Sequence, residues 1–119
     1  MARLKARPRP GGLGAYEYWV LWSLDRNGGR QTVAQAYAVV WEQMREQFSD
    51  RERSKTKDGS EKVWTNETRQ AARNMKDDGR LKRTPRTIYE ISEKGREWLR
   101  LNPVAPRLGR AIDDSEDYL

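Results

Sequence analysis

The chain has 119 residues, enough for one domain with a modest core, and apolar and charged residues each make up 35% of it, so the core must come from concentrated aromatic and aliphatic stripes. It holds no Cys and no His, which excludes disulfides, thiolate nucleophiles, imidazole bases and the usual zinc sites, and no stretch approaches the roughly 20 apolar residues of a membrane span. Its net charge of +6 is unevenly spread, with Arg3, Lys5, Arg7 and Arg9 unopposed by any acid in residues 1–14 and Asp113, Asp114, Glu116 and Asp117 near the other end, a balance that suggests a polyanionic partner and a cytoplasmic, nucleoid-associated protein.

Residues 1–14 contain Pro8, Pro10, Gly11, Gly12 and Gly14 and are expected to form a flexible basic arm, because neither residue type sustains a regular helix. From Ala15 the sequence AYEYWVLWSLDRNGG predicts a first helix that is apolar nearly all round. Tyr16, Trp19, Val20 and Leu24 fall on one side, Tyr18, Leu21 and Trp22 on adjoining faces, and Asn27-Gly28-Gly29 stops the helix. Such a helix is either deeply buried or covered by a partner chain.

A second helix is predicted where Val33, Ala36, Tyr37, Val40, Trp41, Met44 and Phe48 recur at helical spacing, with Thr32 as its N-cap. Residues 49–62 have no apolar residue and are expected to be a long surface loop, a solvated connection in preference to a DNA contact. Val63 and Trp64 then precede a third helix expected to open at Thr65 or Asn66 and to end at Gly79. Thr68, Ala71, Ala72 and Met75 form its buried stripe, leaving Arg69, Gln70, Arg73 and Asn74 on the other side.

After Gly79 the period becomes two. Leu81 on one strand, and Tyr89 and Ile91 on the next, predict a hairpin around Thr84-Pro85 that carries Lys82, Arg83 and Arg86 at its tip. Ser92 is placed to cap a short closing helix, with Trp98, Leu99 and Leu101 supplying its apolar contacts. Pro103 and Pro106 open an acidic tail, so the expected organisation is a basic flexible arm (1–14), one folded domain (15–102) and an acidic flexible tail (103–119).

This order of elements predicts an α+β, mainly α, winged helix-turn-helix: three helices, a two-stranded wing and a short closing helix. In that arrangement the third helix enters the major groove and the hairpin lies along the backbone of double-stranded DNA. Asn66, Arg69, Gln70 and Arg73 are residue types that fork onto base edges or hold phosphates, and Lys82, Arg83 and Arg86 are candidate phosphate contacts. Each has a plainer alternative: a cap for Asn66, ion pairs with Glu67 and Asp77 for the helix arginines, and protection of an edge strand for the hairpin cations. Arg3, Lys5, Arg7 and Arg9 are candidate arm contacts to an adjacent minor groove.

RQAARNMKDDGRLKRTPRTIYEISEKGREWL resembles the N-terminal winged-helix domain of Mrr-type restriction proteins, and AYEYWVLWSLDRNGG is similar to that domain's first helix, so the resemblance spans about residues 15–101. It implies DNA binding within restriction or modification-sensing systems. In many members the domain precedes a nuclease; here about 18 residues follow the last helix, so recognition is expected without cleavage, beside a separate effector enzyme or as a regulator. Some similar domains read methylated bases, which makes Trp64 a candidate wall of a base pocket, although a core residue stapling the start of the third helix is the leading reading.

Two other classes compete. A protein-interaction adaptor would use the aromatic face of the first helix, through Tyr18 and Trp22, and the same face would equally serve a homodimer that pairs two recognition helices. A nuclease needs converging carboxylates, and Asp77-Asp78 and Glu93-Lys94 are weak candidates because both lie at helix ends. No enzyme activity, cofactor or metal is therefore expected.

Overall fold

The computed structural model describes residues 12–83, 85 and 87–108. The element order is α1 (Gly14–Arg26), β1 (Arg30–Thr32), α2 (Val33–Met44), a 3-10 turn (Arg45–Gln47), α3 (Asp50–Arg53), α4 (Val63–Asp77), β2 (Leu81–Arg83), β3 (Ile88–Ile91) and α5 (Glu93–Leu101). The architecture is α+β and mainly helical, of winged-helix-like form, with a small antiparallel sheet of order β1-β3-β2.

Helix α1 takes the first of the two options its composition left open. Val20, Leu21 and Leu24 are fully buried, and the helix packs against α2, α4 and α5. Tyr18, expected on an adjoining face, is also buried, and its ring meets Trp19 edge-on at 4.9 Å. Met44, Met75 and Leu81 join the same core, each burial contributing about 1.5–3 kcal/mol. Leu101, by contrast, is 45% exposed; it ends α5 on the solvent side, and Trp98 alone of the three expected apolar contacts of that helix is fully enclosed.

Local chemistry explains the helix ends. Thr32 caps α2 as expected, and the cap is reciprocal: its hydroxyl accepts from the Gln35 N–H at 3.0 Å while Gln35 Oε1 accepts from the Thr32 N–H at 2.9 Å. Helix α2 ends at Met44, four residues before Phe48, because the chain tightens into the 3-10 turn that delivers Phe48 back to the core. At the other end of α4, Gly79 at φ +91° makes the left-handed turn that an L side chain resists.

Four expectations are corrected. Strand β1 was not anticipated: Arg30, Gln31 and Thr32 pair with Glu90, Tyr89 and Ile88, and three residues are too few to display a period of two. Residues 49–62 are not a plain loop, since Ser49 and Glu52 form a second reciprocal cap that starts α3, and Lys55 bridges Lys62. The turn between them is tied by Asp58, whose carboxylate accepts from the Ser60 N–H and from the Thr56 and Ser60 hydroxyls and is thereby held at a pKa of about 2. Helix α4 starts at Val63, not at Thr65 or Asn66, because the Val63 N–H is already bound to the Ser54 carbonyl and Lys62 occupies the N-cap. The folded chain also runs past Asn102, with Leu108 buried and its N–H donating to Gln47 Oε1 at 3.0 Å.

One ion cluster ties the base of the wing to the core. Arg80, 5% exposed, donates from Nη1 to Glu17 Oε1 at 3.0 Å and from Nε to both oxygens of Asp78 at 3.0 Å, with its guanidinium 5.2 Å above the Trp98 ring. Its carbonyl accepts from the Ser92 N–H, and Gly95 of α5 lies so close to that carbonyl that an added methyl group would collide with it. Glycine in the middle of α5 is thus a packing requirement, and Asp78 is committed to this ion pair.

Candidate nucleic-acid interface

Helix α4 has two faces of opposite character. Thr68, Ala71, Ala72 and Met75 are buried, and their small side chains let the helix sit close to α1. Gln70, Arg73 and Lys76 are exposed on the outer face, and neither Arg73 nor Lys76 makes an ion pair among the described residues. Neither acid that sequence spacing placed beside the helix arginines, Glu67 or Asp77, makes an ion pair with them among the described residues. Glu67 turns inward, accepting from the Tyr16 hydroxyl at 2.7 Å and from Arg51 Nη2 at 2.6 Å, so it braces α4 against α1 and α3.

Arg69 is handled differently. Its Nη2 pairs with Glu61 and donates to Asn66 Oδ1 at 2.8 Å. Glu61 arrives from the tied turn of residues 54–62, and its backbone carbonyl accepts from the Thr56 N–H at 2.8 Å. Asn66 is therefore neither the cap nor an idle surface group; it orients Arg69. The sequence pattern missed this pair because Glu61 precedes the helix and lies eight residues from its partner.

The sheet sorts the wing cations by face. In β2, Leu81 and Arg83 share the inner face with Ile91 and Tyr89, their cross-strand partners, whereas Lys82 points to the other side opposite Glu90. Lys82 and Arg83 stand within the strand, not at the hairpin tip, and do not act on one surface. Arg86 and Thr84 lie outside the described residues, as do Arg3, Lys5, Arg7 and Arg9 and the acidic residues 113–117.

Arg83 faces α4 across a cleft of about 150 Å³, lined by Arg69, Ala72, Arg73 and Lys76 from α4 and by Leu81, Arg83 and Tyr89 from the sheet. Four cations line it, and among the described residues no carboxylate does. The Arg83 guanidinium lies 5.7 Å from the Tyr89 ring centre. Burial pushes the Tyr89 hydroxyl above the ordinary phenol range, while the positive charges of Arg83 and Arg69 pull the other way, an electrostatic sign that both guanidinia face this spot. Burial raises the Tyr37 hydroxyl as well.

Beyond Arg83 the surface changes from cationic to apolar. An open groove of about 630 Å³ lies between the first turns of α2 and α4 and the wing, lined by Thr32, Val33, Ala34, Tyr37, Trp64, Thr65, Arg83 and Thr87. Trp64 stands inside the first turn of α4 and not before it, as its spacing from the expected cap had suggested. Its ring packs at 5.4 Å from Trp41, 5.8 Å from Phe48 and 6.3 Å from Tyr37, so it both closes the aromatic core and forms a groove wall.

The aromatic face of α1 is largely spoken for within the chain. Trp22 is half-buried, stacked edge-on with Trp19 at 5.0 Å and covered by the Arg26 guanidinium at 4.5 Å. No helix among the described residues is long and apolar enough to cross a membrane. A family model described as the Mrr N-terminal domain matches residues 17–101. No curated protein and no solved structure matches the chain.

Proposed function

The chain belongs to the family of the Mrr N-terminal domain, a domain of restriction systems, and on that premise we propose that it is a non-catalytic module that binds double-stranded DNA and presents it to a separate effector enzyme. The observation that carries this reading is the cleft lined by Arg69, Arg73, Lys76 and Arg83, with Glu61 bound to Arg69 but not itself part of the lining. Like charges held this close repel one another, and a phosphate between them removes the repulsion while releasing the counterions condensed on DNA.

Helix α4 supplies base contacts in this reading. Gln70 matches the donor and acceptor pair of adenine, and Arg73 matches either guanine or a phosphate. Arg69 reaches DNA as a guanidinium already oriented by Glu61 and Asn66, which lowers the entropy lost on contact. Modified bases are the targets that restriction systems have reason to separate from ordinary ones, and the apolar groove beside α4 is the part of the surface suited to an added methyl group.

The test is fluorescence anisotropy against unmodified, N6-methyladenine and 5-methylcytosine duplexes at low and moderate salt, with Arg73→Ala alongside. Affinity should fall steeply with salt, and Arg73→Ala should weaken binding and lower the logarithmic salt slope by about 1. Negligible binding to every duplex at low salt would reject the reading. A preference among the three duplexes would assign modification sensing; equal binding would leave a module that reads sequence or backbone alone.

A further inference from the structure

Phosphate binding uses the cleft but not the groove next to it. The groove joins three features that a backbone contact does not need: an aromatic wall from Trp64 and Tyr37, an apolar floor from Val33 and Ala34, and a volume of about 630 Å³, within the range of sites that enclose small organic ligands. Arg83 borders both the groove and the cationic cleft, so the two are adjacent and share one cation. The first turns of α2 and α4 also open onto the groove, and their N-terminal ends favour negative charge at its mouth.

An apolar aromatic slot adjoining a phosphate seat matches the two halves of a nucleotide. We propose that the groove receives a single nucleobase turned out of the duplex, stacked against Trp64 and Tyr37, while Arg83 holds the phosphate beside it. This rests on duplex binding by α4 and the wing, and it adds a site that such binding does not require. Stacking on aromatic side chains is tolerant of base identity, so the groove by itself selects for ease of extrusion; the added contacts of a particular base then set preference.

Extrusion costs least where pairing is already broken. The protein should therefore bind a duplex carrying one mismatch about tenfold more tightly than the same duplex fully paired, at one salt concentration. Replacing Trp64 is a poor probe, because its ring also packs on Trp41 and Phe48. Ala34 is exposed on the groove floor, and Ala34→Trp fills the groove without removing a core residue. That variant, checked for an unchanged circular dichroism spectrum, should keep salt-dependent binding to the paired duplex and lose the mismatch preference. Equal affinity of the parent protein for paired and mismatched duplexes, or a preference that survives Ala34→Trp, overturns the groove assignment while leaving duplex binding intact. Failure to bind any duplex overturns both.

Discussion

Arg80 and Arg83 stand three residues apart on the way into and through β2, and each guanidinium lies over an aromatic ring, Trp98 for one and Tyr89 for the other. Their surroundings differ. Arg80 is enclosed between Glu17 and Asp78 at the base of the wing, while Arg83 faces a cleft whose other charged walls are Arg69, Arg73 and Lys76. The same side chain is a structural tie where carboxylates meet it in a dry site and an exposed cation where it borders a cleft walled by other cations. Residue type does not assign the role; the sign of the neighbouring charge and the access of water do.

The largest effect that tests this contrast is on stability. Arg80→Ala leaves the Glu17 carboxylate, 6% exposed, without its partner, and should lower the unfolding free energy by about 3–5 kcal/mol in a denaturant titration. Arg83→Ala should change it by less than about 1 kcal/mol, as exposed positions do. Equal losses in the two variants would erase the distinction.

Binding should reverse the ranking. Among variants that remain folded, Arg83→Ala should weaken duplex affinity about tenfold at low salt and remove about 1 from the salt slope. Glu17→Gln, which disturbs the Arg80 site while keeping its shape, should leave the slope unchanged; a reduced slope in Glu17→Gln would mean that the wing base itself contacts DNA.

The smallest effect is on a titration. Tyr89 is raised by burial and partly lowered by Arg83, so Arg83→Ala should move its phenol still higher, read from tyrosinate absorbance in the folded protein. The linked stability has a definite sign. Because the folded pKa exceeds the unfolded value of about 10, the contribution is complete below that pH and is lost as pH rises above it, more steeply in Arg83→Ala. A downward movement of Tyr89 would place Arg83 away from the cleft.

Much of this frame is legible in the sequence because periodicity survives wherever an element has several turns to express it. Helix α2 shows it in Val33, Ala36, Val40 and Met44, and the buried stripe of α4 is the Thr68, Ala71, Ala72 and Met75 set. Strand β1 and helix α3 are too short to carry a period, although Ser49-x-x-Glu52 is itself a capping signature that marks the start of α3. The site is harder to read. Arg83 and Lys82 are neighbours in sequence but on opposite faces once β2 pairs with β3, and Arg69 finds its acid in a preceding turn that local spacing does not reach. Arg80 looks like another surface cation until α1 and α5 close over it, since its partners Glu17 and Trp98 come from the two ends of the domain.

The strand order carries a consequence for how the protein comes into being. β3 is the last strand in sequence and the middle one in space, with β1 and β2 each paired only to it. A chain emerging from the ribosome N-terminus first has no sheet at all until Ile91 has cleared the exit. Tyr89 of β3 lines the cationic cleft opposite Arg83 of β2, so the sheet wall of the cleft is complete in a nascent chain only once the return strand has paired and closed a loop that began at Arg30.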